Sequence, residues 1–288
     1  MPIYAPTLPP RPALDRGDPK ALVILRYDLR RVMRQKLGRF FGFAFLLILL
    51  IQCGWLYAKH LMGSNPVFAP IGQVANQILP QGAAYQAQLL HPFMIFMLWL
   101  QAALVGGGLL ARDTLYRIRP LLYAHPVRPR DYFTAKALFA AGLPFLIMLP
   151  YIFVPWTLSL AIAGGTGPVW PSAPLYLVPA ALVIAALMGA VTLGASSMAG
   201  SPRAGFGWAL GIMIGSGALG GVLAAALGDP RWQALGVGDL ASAWPRILLN
   251  VQTPGGLGWA PALLATAGHL LFWTWLALRR TRPSEAAQ

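Results

Sequence analysis

The chain has 288 residues, a formal net charge of +14, 57% hydrophobic residues and only 10% charged residues. A soluble domain carries about 25% charged residues, so the composition excludes an ordinary soluble protein. Disorder is excluded because disordered chains are poor in hydrophobic residues. Long charge-free stretches separate the basic residues, which argues against a nucleic-acid-binding surface, and the single cysteine, Cys53, excludes a disulfide framework. We therefore predict an integral membrane protein.

The first 39 residues are too long and too basic for a signal peptide. Residues 1–17 contain five prolines and are predicted to form a Pro-rich cytoplasmic arm. Asp18 and Pro19 then favour a helix start, and apolar residues recur every three or four positions over 18–39. The opposite side of this helix is basic, with Arg26, Arg30, Arg31 and Arg34. We predict an amphipathic helix at the membrane interface, which serves either as a lipid anchor alone or also as support for a cytoplasmic partner.

Five stretches without charged residues predict the membrane-spanning helices. A span needs about 20 apolar residues, and the third stretch holds two spans divided by a Gly- and Pro-rich segment. The predicted fold is an all-α membrane protein with six transmembrane helices, at about 40–58, 89–111, 137–163, 175–199, 206–228 and 260–278. Residues 279–288 form a tail.

The distribution of basic residues predicts the orientation. Of the 22 lysines and arginines, 19 lie in the segments before the first span, after the second, after the fourth and after the sixth. Because cytoplasmic segments carry the Lys/Arg excess, both termini are predicted to be cytoplasmic. This topology suits a multi-pass protein of the bacterial cytoplasmic membrane. The outer segment 229–258 contains interfacial tryptophans, and it is either an ordinary loop or a short interfacial or re-entrant helix.

Small residues mark faces where helices approach closely in lipid. On the fifth span these are Gly207, Gly211 and Gly215, at four-residue spacing. A similar face on the fourth span comprises Ala186, Ala190 and Gly194. These faces either pack within the subunit, which we favour, or form a dimer seam.

Three polar side chains inside the predicted spans are candidates for lining a substrate pathway: Gln52, Gln101 and His269. The alternative for each is a hydrogen bond to a neighbouring helix, which is the commoner role. No phosphate-binding loop, zinc-binding His-Glu-x-x-His or Gly-x-Ser-x-Gly motif occurs, and no carboxylate pair lies within a span. We therefore predict that the chain is not an enzyme and binds no metal or other cofactor. If it moves a substrate, the energy comes from another polypeptide.

The predicted loop 112–136 mixes charged residues with apolar ones, as a protein-docking surface does. Here the chain resembles the permease subunits of ABC-2 type transporters. The resemblance is carried by Asp113, Leu121-Leu122, Pro126-Val127, Arg128, Tyr132 and Lys136. It covers most of the chain in architecture but only about 110–140 in motif. The chain departs from the family at 112–117, where it lacks the glycine and second glutamate that often follow the second span.

The resemblance implies a permease subunit of an ATP-driven exporter. A separate cytoplasmic ATPase would bind ATP and Mg²⁺ and couple to the loop 112–136 and the helix 18–39. A second copy or a paralogue would complete the export pathway, and no nucleic acid would be involved. The implied coupling residues are Asp113, Arg117, Leu121, Leu122, Pro126, Arg128, Arg130, Asp131 and Lys136.

Two other functions stay open. One is a non-transporting scaffold or assembly subunit of a larger membrane complex, which would use the glycine faces for docking. The other is a secondary carrier, which would need His269 together with Gln52 or Gln101 as its coupling site.

Overall fold

A computed structural model describes residues 20–64, 67, 87–118, 128–162, 172–253 and 256–281. Within these ranges the chain is helical and contains no strand. The predicted arm 1–17, the helix start at 18–19 and most of the tail (282–288) lie outside them. Nine α-helices are present in the described residues. They are α1 (Lys20–Arg34), α2 (Lys36–Ser64), α3 (Pro92–Gly106), α4 (Leu109–Leu115), α5 (Pro129–Ile162), α6 (Ala173–Met198), α7 (Pro202–Leu227), α8 (Val237–Leu248) and α9 (Trp259–Thr281).

The six predicted spans are confirmed as six helices, in the described residues, that are long and apolar enough to cross a membrane. They are Lys36–Leu61, Pro92–Leu115, Pro129–Ile162, Ala173–Met198, Pro202–Leu227 and Trp259–Thr281. The largest difference from the prediction is in the third, which begins at Pro129 rather than at 137. Pro129 fits the first turn because its missing N–H is not needed there, and Asp131 is favoured there by the helix dipole. The last part of the predicted loop 112–136 is therefore helix.

Helix α6 forms the centre of the bundle and packs against α5, α7, α8 and α9. Leu187, Met188 and Val191 are fully buried on it. Its glycines permit the close approach: a Cβ on Gly189 would lie 2.9 Å from the backbone nitrogen of Ala141, and one on Gly194 would lie 2.6 Å from the Trp273 ring. The predicted small-residue face of the fourth span is therefore a packing face within the subunit.

The glycines of the fifth span behave differently. A Cβ on Gly207, Gly211 or Gly215 would meet no described atom within 4 Å. The favoured prediction, that these three pack within the subunit, is therefore wrong for the part of the chain that the structure describes. Two other glycines of α7 do pack: Gly205, whose backbone lies against Gly107 at the bend between α3 and α4, and Gly220, where a Cβ would lie 2.9 Å from the Trp232 carbonyl oxygen. A dimer seam at the stripe stays a prediction.

The outer segment 229–258, predicted to be either a loop or a short helix, contains helix in its described part. A 3-10 helix (Pro230–Leu235) leads into α8, which packs against α6, α7 and α9. Trp244 of α8 donates its indole N–H to Thr266 Oγ1 of α9 at 2.9 Å. Thr266 lies seven residues after the start of α9, or about 10 Å along that helix at 1.5 Å per residue. The contact with α8 is therefore made about 10 Å from the start of α9.

Candidate functional site: a buried ionic cluster

An ionic cluster lies where α1, α4 and α5 meet. We call this end of the bundle, which also holds the start of α2, the basic end. The Lys136 Nζ lies 2.8 Å from Asp28 Oδ2 and 2.9 Å from Asp113 Oδ2. The Tyr132 hydroxyl donates a 2.7 Å hydrogen bond to the same Asp113 oxygen. Asp28, Asp113 and Lys136 are each at most 5% exposed. Lys136 therefore joins the helix before the first span to the end of the second and the start of the third.

Local structure explains why these side chains meet. Tyr132 and Lys136 are one helical turn apart on α5, so both project from the same face. Asp113 is held in place through α4, because Ser196 Oγ of α6 accepts hydrogen bonds from the N–H groups of Leu110 and Ala111 at 2.9 and 3.0 Å. Apolar residues surround the cluster, among them Val32, Leu109, Leu110, Phe139 and Leu193.

The cluster contains two carboxyl groups and one ammonium group. Burial raises the pKa of the Asp28 carboxyl above its ordinary value, and the Asp113 charge adds to this; the Lys136 ammonium opposes both, and Arg31 on the same helix opposes them weakly. With a proton on Asp28 the three groups are neutral in total, whereas two ionised carboxylates leave one negative charge in an apolar setting. Asp28 therefore takes up a proton at a higher pH in the folded protein than an exposed aspartate does.

The predicted coupling residues separate into three groups. Asp113 and Lys136 are buried in the cluster, so their side chains present no surface to a partner. Arg117, Arg128 and Arg130 are exposed and Asp131 is half-buried, all at the basic end. Leu121, Leu122 and Pro126 lie outside the described residues. A role of these residues in ATPase coupling stays a prediction. Of the described ones, only the second group could contact an ATPase at the surface.

Helix α1 carries the four arginines of the predicted amphipathic helix. Arg26, Arg30 and Arg34 are exposed, and Arg31 is half-buried beside the cluster. Apolar side chains on α1 are exposed as well, namely Leu22, Leu29 and Met33. This arrangement suits a lipid surface, and the interfacial location of α1 stays a prediction.

Sequence reasoning missed Asp28. It is the one acid in a helix otherwise rich in arginine, and it lies between Leu25 and Val32 on the side where the apolar residues recur. A lone carboxylate on an apolar face is the available signal, because a buried charge needs a partner. Its partner, Lys136, is 108 positions away, and no local pattern identifies it.

The three predicted pathway residues occupy different places. His269 uses both ring nitrogens: Nδ1 accepts from the Trp273 indole N–H at 3.3 Å, and Nε2 lies 3.2 Å from the Leu235 carbonyl oxygen. Gln101 is buried, and its Oε1 has no hydrogen-bond partner among the described residues. Gln52 borders a cavity and donates a 3.4 Å hydrogen bond to the Leu89 carbonyl. The structure thus brings no two of them together.

Within the described ranges, no three His, Cys, Asp or Glu side chains are grouped in a way that could hold a metal ion. No protein-family model matches the chain, and a search of curated proteins finds no match. The ionic cluster forms a buried charged link between α1, α4 and α5.

Proposed function

We propose that the chain is the permease subunit of an ATP-driven ABC-type exporter. In this proposal both termini are cytoplasmic, in a bacterial cytoplasmic membrane, and a separate ATPase binds the basic end. The observation that carries it is the Asp28–Lys136–Asp113 cluster. A force applied to α1 or to the start of α5 would reach the second and third spans directly, because two buried ion pairs join α1, α4 and α5.

The exposed charges at the basic end support a docking role. Arg117, Arg128 and Arg130 are exposed around the buried cluster, so a partner that contacts them would act directly on the helices that the cluster joins. Arg117 lies two residues after the end of α4 and has a positive φ of 52°, which is uncommon for a residue other than glycine. ATP and Mg²⁺ would bind to the partner. A second copy or a paralogue would complete the pathway, with the exposed stripe of Gly207, Gly211 and Gly215 as the proposed seam.

A charge reversal tests the docking surface without touching the buried cluster. We expect the double variant Arg128→Glu/Arg130→Glu to lose most of the ATPase that co-purifies with the wild type, because it reverses two exposed charges beside the proposed contact. The matched control is Arg231→Glu, whose side chain is 77% exposed and lies beyond α7, away from the basic end. Equal ATPase yields from all three proteins would contradict the docking surface.

The alternative function is a non-transporting scaffold or assembly subunit. The unpacked glycine stripe on α7 favours it, since such a face would equally suit docking to another membrane protein. A scaffold predicts co-purifying membrane subunits with no nucleotide-hydrolysing polypeptide among them.

A further inference from the structure

A cavity of about 380 Å³ lies between α2, the start of α3 and α5, away from the basic end. This volume is within the range of about 300–1,000 Å³ that small-molecule sites occupy. Its walls are largely apolar, with Ile48, Ile51 and Trp55 from α2 and Met94 from α3. It shares no residue with the ionic cluster.

The cavity opens on the side of the bundle that would face lipid. Ile51 is 63% exposed and Trp55 46%, and both lie within the candidate span Lys36–Leu61. Phe93, at the start of the next span, is 51% exposed and also borders the cavity. Exposed apolar side chains in a membrane-spanning segment contact acyl chains, so the molecules that reach this cavity are those of the bilayer.

Polar groups gather at one end of the same cavity. Gln88 and His91 immediately precede the span Pro92–Leu115, and therefore lie at the membrane boundary. His91 Nδ1 accepts a 2.9 Å hydrogen bond from the Phe93 N–H, so the neutral ring carries its proton on Nε2, which is then a donor. The Gln88 amide is a second donor. Apolar walls with donors at the boundary match an amphiphile whose head carries acceptor oxygens.

We propose that this cavity binds one phospholipid. One acyl chain fills the space along Ile48, Ile51 and Met94, and ester or phosphate oxygens of the head accept hydrogen bonds from His91 and Gln88. Such a lipid would reside in the protein whether or not the chain transports a substrate.

Cavity filling tests the proposal. The probe is phosphatidylglycerol supplied in vesicles to the full-length protein, followed by detergent purification and native mass spectrometry of the lipid retained. We expect the wild type to keep one phosphatidylglycerol and Ile51→Trp to lose it at least several-fold, because the indole occupies the acyl-chain space. The matched control is Leu50→Trp on the same helix, since Leu50 is 59% exposed but does not border the cavity. Equal lipid retention by both variants and the wild type would overturn the proposal.

A second measurement uses the wild-type protein, so its result does not depend on whether Ile51→Trp folds. A phosphatidylcholine with a photoreactive acyl chain should label 48–55 and 88–94 more heavily than Leu264 and Leu271 on α9, which are 74% and 73% exposed. Ordinary annular lipid would label the more exposed α9 positions at least as well. That second pattern would overturn the proposal.

Discussion

Lys136 is central to the stability of the basic end, because its ammonium group is the ion partner of two buried carboxyl groups. Breaking a buried ion pair by removing one partner costs about 3–5 kcal/mol, since the other charge is left without compensation. The pair with Asp28 is also the contact that joins α1 to the membrane-spanning bundle through charge.

We therefore expect Lys136→Met to destabilise the protein by about 3–5 kcal/mol. The substitution keeps an unbranched side chain of similar length but leaves Asp28 and Asp113 facing each other without a cation. Thermal unfolding in detergent measures the effect. The control is Arg130→Met, which removes an exposed cation from the same helix and should change stability by at most about 0.5 kcal/mol. Equal unfolding temperatures for the two variants would contradict the role assigned to the cluster.

Asp28 makes stability depend on pH. Burial raises its pKa above the ordinary 3.8, so at a pH between the ordinary and the raised pKa the folded state binds more protons at Asp28 than the unfolded state does. The resulting stabilisation is complete below the ordinary pKa and is lost as the pH rises through the higher, folded-state pKa. Asp28→Asn stays neutral and can still accept a hydrogen bond from Lys136, while Lys136 keeps Asp113 as its ion partner.

As the pH rises from about 4, we expect the unfolding temperature of Asp28→Asn to rise relative to the wild type. Asp229→Asn serves as control, because Asp229 is 43% exposed and its ion pair with the Arg231 side chain is long, at 3.9 Å. The asparagine keeps an oxygen that can accept the 2.9 Å hydrogen bond from the Arg231 N–H. If Asp28→Asn and the wild type showed parallel pH profiles, the pKa of Asp28 would not be raised in the folded protein.

At the scale of the elements, the close contacts of α6 with α5 and α9 hold the bundle together. We expect Gly189→Ala to destabilise the protein by about 1–3 kcal/mol, because its Cβ would lie 2.9 Å from backbone in α5 and the helices would have to separate. Gly211→Ala is the matched change on α7, where the added Cβ meets open space. It should leave stability unchanged or raise it by up to about 1 kcal/mol through helix propensity.

Thermal unfolding of the two glycine variants in detergent measures this difference. An equal loss of stability in both would show that Gly211 is packed in the purified protein, as a dimer seam requires. Spacing alone cannot separate the two cases, because lipid and a neighbouring helix are both apolar and both accept a stripe of small residues.

For the whole molecule, the sequence predicts what depends on local hydrophobicity. Six spans follow because each needs about 20 apolar residues, and this requirement is visible in the charge-free stretches. Hydropathy places the start of α5 too late, since the charge-free stretch begins only after Lys136, although Pro129 and Asp131 favour a helix start. A charged first turn looks like a loop when only hydropathy is used.

The candidate site is only partly predictable. The family resemblance selects Asp113, Tyr132 and Lys136, whereas Asp28 requires the three-dimensional contact across 108 positions. The resemblance predicts a docking surface, but the structure places two of its charged residues inside the protein. Long-range pairing decides which charges are buried, and that information is absent from local sequence.

We propose that a separate ATPase drives this chain, and the most direct test is the composition of the purified native complex. The tagged chain is isolated in a mild detergent from its native membrane, and its partners are identified by mass spectrometry while ATP hydrolysis is assayed. We expect a distinct polypeptide with a phosphate-binding loop and vanadate-sensitive ATP hydrolysis in the same fraction. A stable complex of membrane subunits without any nucleotide-hydrolysing polypeptide would contradict the claim and favour the scaffold.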